Sequence, residues 1–359
     1  MNYVLAIHGG AGTIMPGGDE APFHAALKQA TEAGEAVLAA GGSALDAVTQ
    51  AVVALEDCIL FNAGRGSVYT SDAVQEMDAI VMDGSSQAAG AVAGVCTVKN
   101  PVLLARAVME KSPSVLLAGQ GAERFAREQG FAAMPPDYFA SEARLQQLQR
   151  AQAAGKGSLL DHDGASAGSN DLPNGKATDK SGQYSSATNN NAPASAITAS
   201  SQTAADTVTS PPEPNAPINP DTKFGTVGAV ALDRHGNLAS AVSTGGMTNK
   251  RPGRIGDTPI VGAGCYANNA SVAVAATGTG EHFIRSVLAH DVAARMQYGG
   301  AALQDAAHVA VHEKLGSIGG EGGIIAIGAD GALAMPFNTT GMYRASVREG
   351  EAVVTQIFA

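Results

Sequence analysis

Asp221-Thr222-Lys223-Phe224-Gly225-Thr226-Val227-Gly228-Ala229-Val230 marks the border between two kinds of sequence. Before it runs a long polar tract with no pattern that would fold. After it come dense β patterns and short motifs rich in Thr, Gly and charge. A threonine hydroxyl inside a chain is a poor nucleophile. It becomes a good one if Thr226 begins a new chain, because its own α-amine then serves as the base. Such an amine has a reference pKa of roughly 7.7–8.0, so it is partly neutral near neutral pH. Gly225-Thr226 therefore reads as a self-cleavage point, with Thr226 as the nucleophile of the matured chain. Gly225 lacks a Cβ, so the peptide before Thr226 can take a geometry that other residues resist. Thr226 is β-branched, which stiffens χ1 and holds the hydroxyl in place. Val227, Val230 and Leu232, with Ala229 and Ala231 between them, read as a buried strand and so a rigid mount. A lone Gly-Thr would more simply open a strand. The tract before it and the motifs after it favour the nucleophile.

That tract, from about 155 to 223, is built of Ser, Thr, Asn, Ala, Gly and Pro, and includes Asn189-Asn190-Asn191 and Pro211-Pro212. Its scattered large apolar residues cannot offset the entropy of ordering it, so it reads as a disordered linker. A structureless stretch of this length is unusual inside a compact domain. A cut at its far end removes the difficulty. The remaining residues, roughly 290, suffice for one large or two small compact domains.

Hydrophobic residues make up 45% of the chain, enough for a sizeable core. The net charge is -11 with no basic stripe, which argues against nucleic acid or an anionic membrane as partner. Trp is absent and aromatics are few, so base-stacking platforms are not expected. Cys58, Cys96 and Cys265 lie in apolar or Gly-rich stretches and read as reduced, buried thiols of a reducing compartment. The N-terminal residues carry no basic segment followed by a long apolar run. A cytoplasmic protein without a membrane span is expected.

Outward from the border, the elements read as follows. Tyr3 to Ile7 is a strand ended by His8-Gly9-Gly10-Ala11-Gly12, and roughly 20–40 is an amphipathic helix. Ser43 is set to cap a second helix. Strands follow at 74–82 and 88–98, then helices from Pro101, at 119–129 and at 138–152. After Thr226 come a strand, a turn at Arg234-His235-Gly236-Asn237 and a strand ending at Ser243. Further strands are expected at 261–266 and 272–276, helices at 279–297 and 300–315, and four short strands to the end. The order suits an α+β fold of antiparallel sheets stacked between helix layers better than a parallel βαβ succession.

Four patches support Thr226. In Ser243-Thr244-Gly245-Gly246-Met247-Thr248, Thr244 stands where a hairpin partner of Thr226 would stand and offers a second hydroxyl. On this patch alone an ordinary strand-end threonine is the simpler reading. In Arg251-Pro252-Gly253-Arg254-Ile255-Gly256-Asp257, Arg254 and Asp257 supply both charges that a free α-amino acid head group needs. The alternative is a surface ion pair, worth at most about 1 kcal/mol. Ala276-Thr277-Gly278-Thr279-Gly280-Glu281 reads as a strand-to-helix turn whose N–H groups suit an oxyanion hole. It lacks the spacing of a nucleotide phosphate loop. The loop Leu55 to Ser67, through Phe61-Asn62-Ala63-Gly64-Arg65, either turns several carbonyls toward a hard monovalent cation or is a plain connection. Other motifs fail. His308 and His312 lack the Glu of a zinc-protease motif, His8-Gly9-Gly10 has no Gly-x-Ser-x-Gly elbow to serve, and the cysteines lack zinc spacing.

Five motifs in order carry a resemblance. They are Ile7-His8-Gly9-Gly10-Ala11-Gly12, Phe61-Asn62-Ala63-Gly64, Gly225-Thr226-Val227-Gly228-Ala229-Val230-Ala231-Leu232-Asp233, Ser243-Thr244-Gly245-Gly246-Met247-Thr248-Asn249-Lys250 and Thr277-Gly278-Thr279-Gly280-Glu281. Together they resemble the isoaspartyl peptidase/L-asparaginase family, the plant-type asparaginases among the N-terminal nucleophile hydrolases. The match spans about 1–150 and 223–359 and misses only the linker.

The resemblance implies an αββα four-layer sandwich of two antiparallel sheets flanked by helices. It implies autoproteolysis into an α subunit (1–225, folded to about 154) and a β subunit (226–359), which together form one domain, and an (αβ)2 dimer. It implies hydrolysis of isoaspartyl peptides and of the L-asparagine side-chain amide, without a catalytic cofactor. By motif position Thr226 is the nucleophile, Thr244 its hydroxyl partner, and Thr277 with Gly278 the oxyanion hole. Arg254 would hold the substrate α-carboxylate and Asp257 its α-ammonium, with Asn62 and Gly278 beside the substrate. Main-chain carbonyls of Leu55, Glu56, Cys58, Phe61, Ala63 and Arg65 would surround a structural sodium or potassium ion. The long linker and the residue type of Arg65 depart from that family's pattern. Two other readings are a glycosylasparaginase-like amidohydrolase, whose nucleophile follows Asp rather than Gly, and an uncleaved homologue that binds amino acids without turnover.

Overall fold

The computed structural model describes residues 2–155 and 225–359. In chain order the elements are β1 (Val4–Gly12), α1 (Ala21–Ala39), α2 (Ala44–Asp57), β2 (Met77–Asp83), β3 (Ala89–Val95), α3 (Pro101–Lys111), β4 (Leu116–Ala118), α4 (Gly119–Glu128), α5 (Pro136–Phe139) and α6 (Glu142–Ala153). The second described stretch holds β5 (Val227–Leu232), β6 (Leu238–Thr244), β7 (Cys265–Ala267), β8 (Val272–Gly278), α7 (Gly280–Ser286), α8 (Leu288–Gln297) and α9 (Leu303–His308). A π-helical turn over Val309–Leu315 continues α9. Then come β9 (Gly322–Gly328), β10 (Leu333–Ala334), β11 (Gly341–Arg348) and β12 (Val354–Gln356). Apart from Gly155, the expected linker lies outside the described residues.

An eight-stranded sheet runs β12-β11-β1-β5-β6-β2-β3-β4, and a four-stranded sheet runs β10-β9-β8-β7. All pairings are antiparallel except β3 with β4, which is parallel. The sheets face each other through Val4, Ala6, Val230 and Val242 on one side and Ala273, Ala275, Ile325 and Ile327 on the other. The outer face of the smaller sheet packs Val272, Val274 and Ile324 against Phe283, Leu288, Val292 and Val311 of the following helices. Helices α1, α2 and α3 cover the far face of the larger sheet. The result is the expected four layers, helix, sheet, sheet, helix.

Sandwiching explains why β5 and β6 read as continuous apolar or small runs rather than alternating ones. Every residue of both strands is buried, because both faces of the sheet are covered. Each fully buried Val or Leu contributes about 1.5–3 kcal/mol. The hairpin between them turns at Asp233, whose Oδ1 accepts from His235 N and Asn237 N, both at 2.9 Å. Its register pairs Val227 with Ser243, which sets Thr226 opposite Thr244.

Several elements depart from the sequence expectation for tertiary reasons. Strand β1 does not stop at Ile7 but continues through His8-Gly9-Gly10, with a bulge between His8 and Gly10. Gly10 has φ 112°, and a Cβ there would collide with the backbone of Gly225. The expected helix 279–297 breaks at Val287, which adopts φ 51° and ψ 48°. Beyond the break, Ala289 N and His290 N donate to Ala263 O and Gly262 O, so a neighbouring loop replaces the carbonyls of α7. The expected helix 138–152 is split at Ala140-Ser141, where Phe139 is buried and its carbonyl accepts from Gln75 Nε2 at 3.0 Å. The Ser43 cap forms as expected, with Asp46 N donating to Ser43 Oγ at 3.1 Å.

Candidate active site

Thr226 immediately precedes β5, and Thr244 ends β6. Thr226 Oγ1 donates to Thr244 Oγ1 at 3.1 Å, and Gly246 N donates to the same oxygen at 3.0 Å. Both threonines are buried. Thr277, near the end of β8 in the other sheet, accepts from Ala11 N at 3.3 Å through its hydroxyl. Gly278 follows, with φ 148°, just before α7. Hydroxyls from both sheets are thus held by strand ends, where neighbouring ladders fix the backbone.

A small cavity joins Thr226, Thr244 and Gly278 to the charged groups, while Thr277 does not line it. It is lined by Gly225, Thr226, Thr244, Gly246, Met247, Arg254, Gly256, Asp257, Thr258 and Gly278, and its free volume is about 20 Å³. That holds about one water. A larger open groove of about 700 Å³, which includes Cys96, Glu123, Arg124 and Arg127, shares no residue with it. That groove does hold a hydroxyl beside a carboxylate, but Glu123 is taken up by Thr97 Oγ1 and by the backbone N–H groups of Cys96 and Thr97. The candidate nucleophile Thr226 lines the smaller cavity.

Arg254 and Asp257 do not pair with each other. Arg254 Nε and Nη2 reach Glu281 Oε1 and Oε2, both at 2.9 Å. Asp257 is buried, and its Oδ2 meets no partner among the described residues. Burial pushes its carboxyl from the ordinary 3.8 up to about 7, with the Arg254 guanidinium pulling the other way. A buried carboxylate oxygen without a donor is costly. An ammonium brought into the cavity would relieve that cost.

Asn62 is placed beside this region but is already occupied. Its Nδ2 donates to Gly246 O at 2.7 Å and its Oδ1 accepts from Val68 N at 3.1 Å. It is not among the residues lining the cavity. Its visible work is to hold the Gly245-Gly246 turn that follows Thr244.

The 55–67 stretch, expected as a loop, begins as the last turn of α2 through Asp57 and then winds into a short 3₁₀ turn at Gly64–Gly66. Carbonyl oxygens of Glu56, Ile59 and Phe61 crowd Gly64 and Gly66, where any side chain would strike them. Leu55, Cys58, Phe61 and Ala63 carbonyls each accept one backbone N–H and keep a second lone pair. A crowd of main-chain oxygens around glycines fits a hard cation in its donor chemistry. The Arg65 guanidinium lies 6.0 Å from the Tyr138 ring centroid. Among the described residues no cluster of three His, Cys, Asp or Glu could hold a metal. His308 and His312 stand 4.4 Å apart, ring to ring, on an exposed helix face.

Three residues near the site had no role in the sequence reading. His8 is buried, its Nδ1 lies 3.0 Å from Thr226 O, and burial lowers its pKa to about 3, so the ring is neutral. Lys250 is buried beneath Gly246, and its Nζ donates to Glu76 O at 2.7 Å. Glu281 grips Arg254. All three lie inside the quoted motifs, so the signal was present. What was missing was the spatial partner of each.

The model of the family described as asparaginase matches residues 1–357. The chain belongs to the asparaginase family. An isoaspartyl peptidase of Salmonella typhimurium is 49% identical, covering 99% of this chain and 98% of its own length. An isoaspartyl peptidase of Escherichia coli is 47% identical, over 99% and 96% respectively. An isoaspartyl peptidase/L-asparaginase of Xenopus laevis is 34% identical, over 98% and 94%. The family match covers both described stretches, so the site described above is that of an asparaginase-family chain. Among its described residues, no helix is long and apolar enough to cross a membrane.

Proposed function

We propose that this chain is a hydrolase that cuts itself before Thr226 and then cleaves isoaspartyl peptides and the side-chain amide of L-asparagine. The observation that carries the reading is the Thr226–Thr244 hydroxyl pair at 3.1 Å in one cavity with Arg254 and with Asp257, whose Oδ2 is left without a partner among the described residues. Arg254 takes the α-carboxylate of an aspartyl unit and Asp257 its α-ammonium. The side-chain carbonyl is then left facing Thr226. Fixing both α groups excludes ordinary α-peptides, whose backbone carries no free ammonium and carboxylate at that residue.

In the matured chain the α-amine of Thr226 takes the proton of its own hydroxyl as Oγ attacks the carbonyl carbon. The Thr277 hydroxyl and the Gly278 N–H face the developing oxyanion. The amine or ammonia leaves with a proton from the α-ammonium, and an ester remains on Thr226. Water, deprotonated by the same amine, hydrolyses the ester and releases L-aspartate. Thr244, which accepts from Gly246 N, holds the nucleophile by its remaining hydrogen-bonding capacity.

Gly225 lines the cavity, so the uncut chain fills part of the space a substrate needs. Cutting frees it. The main-chain oxygens of Leu55, Glu56, Cys58, Phe61, Ala63 and Arg65 would hold a sodium or potassium ion that stiffens the loop next to Asn62. The crowding of the Glu56 and Phe61 carbonyls about Gly64 and Gly66 supports that assignment. The working unit is an (αβ)2 dimer in the cytoplasm. The three free cysteines among the described residues fit a reducing compartment.

Intact-mass measurement under denaturing conditions tests the reading, followed by assays with a β-aspartyl dipeptide and L-asparagine. The expected result is one species ending at Gly225, one beginning at Thr226, and release of aspartate from both substrates. A single persistent chain that binds amino acids without turnover would replace this reading with that of a non-catalytic homologue.

A further inference from the structure

We infer that Glu281 is a positioning and specificity-setting residue. It fixes the plane of Arg254, and its charge makes the cavity select a head group bearing an ammonium as well as a carboxylate. The inference rests on the roles given above to Arg254 and Asp257.

Glu281 sits in the first turn of α7 and is half exposed, whereas Arg254 is mostly buried. Its two oxygens take the Nε/Nη2 edge of the guanidinium, both at 2.9 Å. A guanidinium offers a second bidentate edge, Nη1/Nη2. Among the described residues no acceptor meets Nη1, and Arg254 lines the cavity while Glu281 does not. Two glycines make room for this arrangement. A Cβ on Gly256 would lie 2.9 Å from Nη1, and one on Gly280 would lie 3.0 Å from Nη2 and 2.9 Å from Asp257 Oδ1. The guanidinium is therefore clamped from behind, with its free edge available to a substrate carboxylate. Glu281 does not compete for that edge.

The charge count gives the second consequence. Arg254 alone would attract any carboxylate. With Glu281 against it, its charge is offset, and what remains in the cavity is the Asp257 carboxyl. A zwitterionic head group gains at both ends. An anion without the ammonium meets a neutralised cation and an acceptor it cannot satisfy. Glu281 is partly solvated, so screening tempers the effect.

The test compares kcat/KM for L-asparagine and for succinamate, which has the same amide and carboxylate but no α-ammonium. Matured wild type, Glu281→Gln and Glu281→Asp are measured side by side. Glu281→Gln is expected to narrow the preference for asparagine by about tenfold, the effect of one partly screened unit charge. The change should fall in KM more than in kcat: KM falls for succinamate, whereas for asparagine the stronger pull on the carboxylate is offset by the added repulsion of the ammonium and KM changes little. Glu281→Asp keeps the charge and restores most of the preference. Thermal-shift titration with L-aspartate and succinate reads the same ratio without turnover. An unchanged ratio in Glu281→Gln overturns the inference. So does an equal loss on both ligands that Glu281→Asp fails to restore. A cut, folded wild type that hydrolyses neither substrate overturns the reading of the site itself, a different outcome from an active wild type whose preference ignores Glu281.

Discussion

The two ends of the cavity are built on opposite principles. At the hydroxyl end, Thr226 and Thr244 line the cavity from strand ends, Thr277 stands next to the lining residue Gly278 on a third strand, and each hydroxyl has a partner in place. At the charged end, Arg254 and Asp257 come from an irregular loop and Glu281 from the start of a helix. There Asp257 is buried with an oxygen left unsatisfied. A nucleophile must be in register before the substrate arrives, and sheet ladders provide that. A recognition group gains most from a ligand if its own desolvation cost has already been met in the folded state. The first end is built for rigidity, the second holds a polar cost that a ligand relieves.

The largest expected effect breaks the hydroxyl end. Thr226→Ala should remain one uncut chain, and its hydrolysis should fall by roughly 10⁴–10⁶-fold, read by intact mass and aspartate release. A cut and active variant would remove Thr226 from the chemistry.

Next comes Asp257. With its pKa near 7 in the empty site, only the ionised fraction can take an ammonium. KM for L-asparagine should therefore fall as pH rises toward 7 and level off above it. Asp257→Asn should abolish that dependence and lower kcat/KM by roughly 30-fold or more, as for a broken buried charge contact. Stability should move the other way. A carboxyl raised from 3.8 to about 7 holds its proton more tightly folded than unfolded. It therefore costs stability progressively as pH climbs between those values, and the full cost, a few kcal/mol, is present above them. Asp257→Asn should melt higher than wild type at pH 8, with the gap closing toward pH 4. A variant that is both inactive and less stable at pH 8 would mean that Asp257 is structural.

A smaller effect sharpens the boundary between the ends. Asn62 ties the turn after Thr244 to its own loop: Nδ2 donates to Gly246 O and Oδ1 accepts from Val68 N. Asn62→Ala should cost about 1–3 kcal/mol of stability and reduce kcat more than KM, measured by denaturant titration and steady-state kinetics. A change confined to KM would instead assign Asn62 to substrate contact.

Much of this was legible in the sequence, and the pattern of what was not is instructive. Residues whose behaviour follows from local chemistry were readable: the Ser43 cap, the strand after Thr226, the turn at Asp233, the strand-to-helix step at Thr277-Gly278. The apolar runs of β5 and β6 gave buried strands, and their hairpin spacing set Thr226 against Thr244. The breaks were not readable. Val287 is an ordinary helix residue by type, yet it turns left-handed because the carbonyls of Gly262 and Ala263 take over the next turn. The short parallel strand β4 lies in an apolar run, Val115 to Ala118, too short to tell strand from helix, and Val115 and Leu116 stay exposed; only its pairing with the distant β3 makes it a strand. The sequence offered Asp257 as the natural partner of Arg254, three residues away. The fold supplied Glu281 instead, because α7 begins where the guanidinium ends.

By itself the sequence determined most of the elements and the chemical types gathered at the site, since periodicity, caps and turn residues act over a few positions; the family and its layer order were implied by the resemblance of five short motifs. Only the tertiary structure decided which hydroxyls touch, which carboxylate holds Arg254 and which is left alone. Those outcomes depend on the register between strands and the packing of distant elements. A difference of one residue in register or one turn in a helix start reverses them, and no local pattern carries that information.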